Sequence, residues 1–296
     1  MFDIYSGIVI IFATSILFFA FTLILSSKFP RRVADFFAVA TLIGMCLYIY
    51  FLWDKAEVTW FVPFSNAIIV GNWFPIITAI LSALVYHRVP GEKLRKYSMV
   101  VLLNLVGLYA LVQPILGVPP ECKDEIGDFK YAIQTSQVSC SPTSAVNLLR
   151  HFDIDALESE MAELCLTRES RTWMGLSIAD GGTSWMGLYR GLKIKLAGTN
   201  LEPQFFTMNF ERFAADPPQG QLIASLKLDF SLQKRDPERF ENLKGGGWHP
   251  GVEHNVVYLE FKKEMVAIID PKNGYEELPI KDFEALWVGR GIYLER

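Results

Sequence analysis

The chain has 296 residues, of which 51% are hydrophobic and 20% charged, with a formal net charge of −4 and four cysteines. That length allows one large domain or two modest ones. The charge balance gives no basic patch and argues against a nucleic-acid partner. No Cys-x-x-Cys, His-x-x-x-His or Gly-x-x-x-x-Gly-Lys pattern occurs, so neither a zinc site nor a phosphate loop is expected. No metal or organic cofactor is implied.

Charge divides the chain. Up to Val118 there are eight Lys/Arg and five Asp/Glu; from Pro119 onward there are 20 and 27. The first part is therefore near +3 and the second near −7, which predicts a membrane half and an acidic soluble half. Spanning a bilayer takes about 20 apolar residues. Four segments qualify, at about 7–27, 33–53, 67–86 and 98–118. The first lacks a basic start and a small-residue cleavage site, so it does not read as a signal peptide.

Loop charges predict the orientation. Lys28, Arg31 and Arg32 fill the first loop, and Arg88, Lys93, Arg95 and Lys96 the third. By the positive-inside rule both loops are cytoplasmic. The N-terminus and everything after the fourth helix then lie outside the cytoplasm, at a plasma or inner membrane. Tyr48, Tyr50, Trp53, Trp60 and Phe61 read as interfacial aromatics. Asn72, Pro75, Asn104, Gln113 and Pro114 fall inside spans, where helix–helix hydrogen bonds and kinks are the expected role and a polar cavity the alternative. Asp35 lies near a span end, and Cys46 reads as a packing residue within a span. No acidic or basic residue sits deep in a span, which argues against an ion or proton path.

The boundary falls at Gly117-Val-Pro-Pro120, where proline stops the fourth helix. The expected organisation is a membrane domain over 1–118, a linker over 119–130 and a second domain over 131–296. Helices are predicted at Ser139–Phe152, with Pro142 in its first turn, at Asp155–Leu166 and at Thr183–Leu192. Strands follow at Leu222–Phe230, His254–Phe261 and Glu264–Ile269, the last two joined by a tight hairpin. Lys281–Trp287 is a short helix and Gly291–Leu294 a closing strand. Asp236–Gly251 is rich in Gly, Pro and charge and reads as a mobile loop. Helices first and an antiparallel sheet after make an α+β domain behind an all-α transmembrane four-helix region.

Cys140 stands just before Pro142 and so at a helix N-terminus, where the dipole and free N–H groups favour a thiolate. His254 opens an apolar strand, and Asp270 ends the neighbouring one. The hairpin can bring carboxylate and imidazole together, fixing the tautomer and stabilising the charged ring. Gln134 can donate its amide to an oxyanion, with the Cys140 backbone N–H as second donor. These are the parts of thiol acyl-transfer chemistry. His249 is the competing base and Gln137 the competing donor. Asp270 can also cap the Pro-Lys-Asn-Gly turn that follows it. Cys122 and Cys165 form either a disulfide or two separate thiols. Trp173, Trp185 and Trp248 either line a groove or pack the core.

The stretch from about Tyr131 to Arg296 resembles the bacteriocin-processing, double-glycine-leader cysteine peptidases of the papain-like superfamily. The matching pieces are Gln134…Cys140, Pro142-Thr-Ser-Ala-Val-Asn-Leu-Leu, Gly181-Gly-Thr-Ser-Trp-Met-Gly-Leu188, His254-Asn-Val-Val-Tyr, and Asp270-Pro-Lys-Asn-Gly274 followed by Phe283. The resemblance implies a papain-like fold, with Cys140 as nucleophile, His254 as general base, Asp270 as orienting acid and Gln134 as oxyanion donor. It departs from the family at Ser141, where the family usually has Gly, and does not extend into the membrane half. The expected protein is a membrane-anchored cysteine peptidase acting on peptides near the bilayer surface. A transpeptidase or amidase using the same thiol, and a silent peptide-binding domain, are the alternatives.

Overall fold

The computed structural model describes the chain apart from residues 54, 56, 89–91, 174–175, 180, 242 and 244–247; of residues 31, 171–173 and 176–179 it describes the backbone alone. The Trp173 side chain and part of the 236–251 loop thus lie outside the described residues. Two compact units divide the chain, Met1–Leu116 and Gly117–Arg296.

The first unit is helical: α1 (Phe2–Ser26), α2 (Arg31–Phe51), the short α3 (Val58–Phe61) and α4 (Ala67–Val70), α5 (Phe74–Arg88) and α6 (Lys93–Val112). Among the described residues, four stretches are long and apolar enough to cross a membrane: Phe2–Ser26, Arg32–Phe51, Ala67–Arg88 and Lys93–Ile115. Helix α5 packs against α1, α2 and α6 and buries Thr78, Ala79, Leu81, Ser82, Ala83 and Leu84. The outer helices instead present large apolar side chains such as Leu17, Phe36 and Leu102 to their surroundings. Close approach of α6 to α5 depends on Gly107, where an added Cβ would lie 2.3 Å from Thr78 Oγ1 and 3.3 Å from Pro75 Cα. Arg88 pairs with Asp35, joining the end of α5 to the start of α2.

The third span is not one continuous helix. It breaks at Gly71–Trp73, between α4 and α5, and the backbone groups freed there find partners. Tyr48 Oη donates to the Gly71 carbonyl at 3.0 Å and accepts from the Trp73 N–H at 3.1 Å. Asn72 Oδ1 accepts from Phe74 N, while its Nδ2 donates to the Ala110 carbonyl at 2.7 Å. Ala110 lies four residues before Pro114, which has no N–H to give it. Asn72 thus supplies the hydrogen bond that proline removes, and α6 ends in a 3₁₀ turn at Gln113–Ile115. Tyr48 is only 6% exposed, so this bridging role replaces the interfacial one expected from sequence.

The second unit is a six-stranded antiparallel sheet of order β3-β8-β4-β5-β6-β7, with helices on both faces. Its strands are β3 (Glu202–Thr207), β4 (Leu222–Lys227), β5 (Glu253–Lys262), β6 (Met265–Asp270), β7 (Gly274–Pro279) and β8 (Trp287–Glu295); β1 (Arg171–Trp173) and β2 (Leu176–Ala179) form a separate hairpin. Helices α7 (Cys140–His151), α8 (Glu158–Leu164) and α9 (Trp185–Lys195) cover one face, meeting Ile223, Val257, Ile269 and Ile292. On the other face α10 (Phe210–Ala215), α11 (Phe230–Arg235) and α12 (Ile280–Leu286) meet Ala224, Val256, Val266 and Ile268. Neighbouring residues of one strand thus serve opposite cores, as a pleat requires.

Segment 119–130, expected as a linker, is bonded into this unit. Asp124 accepts from Ser159 N at 2.7 Å and from Ser159 Oγ at 2.6 Å. Phe240 and Trp248 are buried within the segment read as a mobile loop.

Replacing Tyr48 by Phe leaves one N–H and one carbonyl unpaired inside an apolar bundle, at a cost of about 1–3 kcal/mol. A detergent-solubilised Tyr48→Phe chain is therefore expected to melt below wild type. An unchanged melting temperature for the helical unit would contradict the bridging role.

Candidate active site

Three elements converge. Helix α7 begins at Cys140, with Ser139 as its N-cap and Pro142 in the first turn, where a missing N–H costs nothing. Strand β5 begins at Glu253–His254, and β6 ends at Asp270. The β5–β6 register pairs Val257 with Ile269 and so sets Asp270 level with Val256. His254 lies two residues along on the same face of the pleat, a diagonal that side chains can span.

They do span it. His254 Nε2 lies 3.1 Å from Asp270 Oδ2, and the imidazole also interacts with the Cys140 thiol. Asp270 is fully buried, and His254 is 12% exposed at its side chain. Trp248 Nε1 donates to the same Oδ2 at 2.8 Å, and Lys272 N donates to Oδ1 at 2.7 Å. The Trp248 ring lies against His254, with centroids 4.6 Å apart. Both carboxylate oxygens are thereby occupied.

The electrostatics follow. Burial alone would raise the Cys140 thiol, but the hydrogen bond and charge of His254, the Asn255 backbone N–H and Ser141 bring it below its ordinary value. Burial would lower His254, yet its hydrogen bonds and charge interactions with Asp270 and Cys140 push it up to about 10. Burial likewise opposes the charged Asp270, and His254, Lys272 N and Trp248 more than offset it, holding the carboxyl below its usual range. The arrangement favours a thiolate beside an imidazolium.

Ser141, next to Cys140, makes a contact of its own. It is buried, and its Oγ accepts from Asn255 Nδ2 at 2.7 Å while lying 3.9 Å from Cys140 Sγ. Ser144 Oγ in turn donates to the Asn255 carbonyl at 2.8 Å. The start of α7 is thus fastened to the start of β5 one residue beyond Cys140 and His254.

Gln134 is half-buried before α7. Its Nε2 donates one hydrogen to the Ser136 carbonyl at 2.6 Å, and its buried Oε1 has no partner. A second Nε2 hydrogen is left to donate. Gln137 is exposed, and so is His249; it is His254 that bonds Asp270. Cys122 and Cys165 are both free thiols, not a disulfide. Cys165 is fully buried, its Sγ against Gly191, and burial pushes its thiol up to about 12. Trp185 is buried and donates to Glu253 Oε2 at 3.4 Å. Among the described residues, no cluster of three His, Cys, Asp or Glu is placed to hold a metal ion.

Sequence reasoning did not find the parts played by Trp248, Asn255 and Glu158. Trp248 gave only a choice between groove and core, and Asn255 stood unexamined beside His254. Glu158 was not singled out in the sequence, and it is 1% exposed.

No protein-family model matches the chain, and no curated protein matches it. Solved structures with some likeness are peptidase domains. One is the peptidase domain of Streptococcus ComA, a bi-functional ABC transporter of a quorum-sensing pathway, at 15% identity and TM-score 0.40, covering 55% of this chain and 95% of that one. Another is a double-glycine-motif protease from an AMS/PCAT transporter in complex with the leader peptide, at 14% identity and TM-score 0.38, covering 58% and 91%. The peptidase domain of Streptococcus mutans ComA matches at 15% identity and TM-score 0.37, covering 57% and 100%. Likeness at this level carries no inference about the chemistry, which stands on the geometry above.

The charge states give a pH signature. With His254 raised to about 10, imidazolium persists to alkaline pH, and acylation of Cys140 by an activated ester should fall off only near there. Asp270→Asn removes the carboxylate behind that rise. Its alkaline limb should move to lower pH, with the rate down roughly 10³–10⁴-fold. Superimposable profiles for the two proteins would contradict the assignment.

Proposed function

We propose that this chain is a membrane-anchored cysteine peptidase. The observation that carries the reading is the series Cys140–His254–Asp270, in which His254 hydrogen-bonds the buried Asp270 carboxylate and interacts with the thiol at the first residue of α7.

In the proposed reaction the Cys140 thiolate attacks a peptide carbonyl carbon, forming a C–S bond as the carbonyl oxygen takes up charge. Gln134 Nε2 and the Cys140 backbone N–H donate to that oxyanion. The tetrahedral intermediate collapses, the C–N bond breaks, and His254 gives its proton to the departing amine. Water then attacks the thioester with His254 as base, releasing the carboxylic acid and restoring the thiol. Asp270 keeps the imidazole in the orientation both steps need, and Trp248 and Lys272 N keep Asp270 in place.

The four apolar helical stretches support a role for the first unit as an anchor holding the enzyme near peptides at a bilayer surface. The basic residues of the first and third loops favour an outward-facing second unit at a plasma or inner membrane.

A thiol-reactive peptidyl electrophile should label wild type and fail to label Cys140→Ala, with His254→Ala labelled far more slowly. Equal labelling of all three would end the catalytic proposal. Orientation has a separate readout. Protease added to intact cells should digest the chain beyond Val118, whereas protection of that part would reverse the topology.

A further inference from the structure

One buried carboxylate outside the triad takes no part in the steps above. Glu158, the first residue of α8, is 1% exposed. Its Oε1 accepts from Thr135 N at 2.8 Å, from Ser139 Oγ at 2.6 Å and, more distantly, from Thr143 Oγ1 at 3.4 Å. Its Oε2 accepts from Thr135 Oγ1 at 2.6 Å. The Cys122 thiol lies within its electrostatic reach; burial foremost, and then the Glu158 and Asp124 charges, push that thiol up to about 12. No Lys or Arg pairs with Glu158 among the described residues.

A buried carboxylate without a counter-ion is an expensive way to fill a core, and an apolar residue of similar volume is often as stable or more so. What Glu158 holds gives the reason for it. Thr135 directly follows Gln134, and Ser139 directly precedes Cys140. One side chain therefore grips the neighbour of each oxyanion donor and fixes the separation between the Gln134 amide and the Cys140 N–H. Within the loop, Gln134 Nε2 is further steered by the Ser136 carbonyl, which also lies 2.9 Å from Ser139 Oγ.

We propose that Glu158 is a positioning residue of the oxyanion site, holding the 135–139 loop so that both donors converge on the substrate's carbonyl oxygen. This rests on the cysteine-peptidase reading. It separates Glu158 from Asp270: Asp270 governs the ionisation of the thiol and imidazole, and Glu158 governs stabilisation of the tetrahedral oxygen.

Two reactions of the same thiol distinguish those roles. Acylation by N-acetylglycine p-nitrophenyl ester forms the Sγ–C bond and expels p-nitrophenolate through an oxyanion. Alkylation by iodoacetamide displaces iodide at a saturated carbon and forms no oxyanion. In the full detergent-solubilised chain, Glu158→Ala should slow acylation about 10²-fold, the lower end of the loss when an oxyanion donor is removed. Its alkylation rate and alkylation pH profile should match wild type. Thr135→Val leaves the carboxylate its other donors and should slow acylation about tenfold, again selectively; it carries the test if Glu158→Ala does not fold. Equal loss in both reactions would mark Glu158 as a general structural residue and overturn the proposal, as would undiminished acylation. A p-nitrophenolate burst from Cys140→Ala equal to that of wild type would instead remove the peptidase reading itself.

Discussion

Burial of the Asp270 carboxylate is the constraint on which the rest of the site depends. Taking such a group out of water costs several kcal/mol unless its lone pairs are filled with good geometry. Here an imidazole, an indole N–H and a backbone N–H fill them. Each of those partners has to be delivered by a different piece of chain. His254 comes from the start of β5, Trp248 from the segment before it, and Lys272 N from the turn leading into β7. The sheet register, the approach to β5 and the β6–β7 turn are therefore fixed by the same carboxylate. In return that carboxylate raises His254, and the charged imidazole lowers Cys140.

A second set of contacts ties the Cys140 helix to the strand. Ser141 and Ser144 on α7 bond to Asn255 on β5, so the thiol and imidazole cannot drift apart without breaking buried hydrogen bonds. Asn147 works similarly farther along α7, bonding both the N–H and the carbonyl of Ala132. That fixes the segment leading to Gln134. Polar side chains thus do in this core what apolar packing alone cannot, which is to set direction as well as distance. The helical unit shows the same economy: Tyr48 and Asn72 repair the backbone at a broken span, leaving no free N–H or carbonyl at Gly71 or Trp73.

Much of this was legible in the sequence, and the omissions have physical causes. Helix α7 and strands β5 and β6 carry strong periodicity and long apolar runs, so they and the residues at their ends could be placed. Strands β3 and β7 escaped notice because they are the two edges of the sheet. β3 carries Pro203, and β7 alternates exposed and half-buried residues, so neither shows a continuous apolar run. Helices α10 and α11 have six residues each, too few for a helical period to show. The expected start of the fourth span at residue 98 came late because hydropathy marks an apolar stretch and not a helix end; Lys93–Lys96 are already helical. Glu158 and Asn255 were hidden for a different reason. Their importance lies in partners far away in the chain, and nothing local distinguishes a buried Glu from a solvated one.

In the proposed site Cys140 is a thiolate held by a charged His254, itself held by Asp270. Ultraviolet thiolate absorbance recorded against pH, as the difference between the full chain and Cys140→Ser, measures this directly. A Cys140 thiolate signal should persist well below the ordinary thiol pKa and be lost in His254→Ala. A signal that appears only above the ordinary thiol range in wild type, as for the buried Cys165, would contradict it.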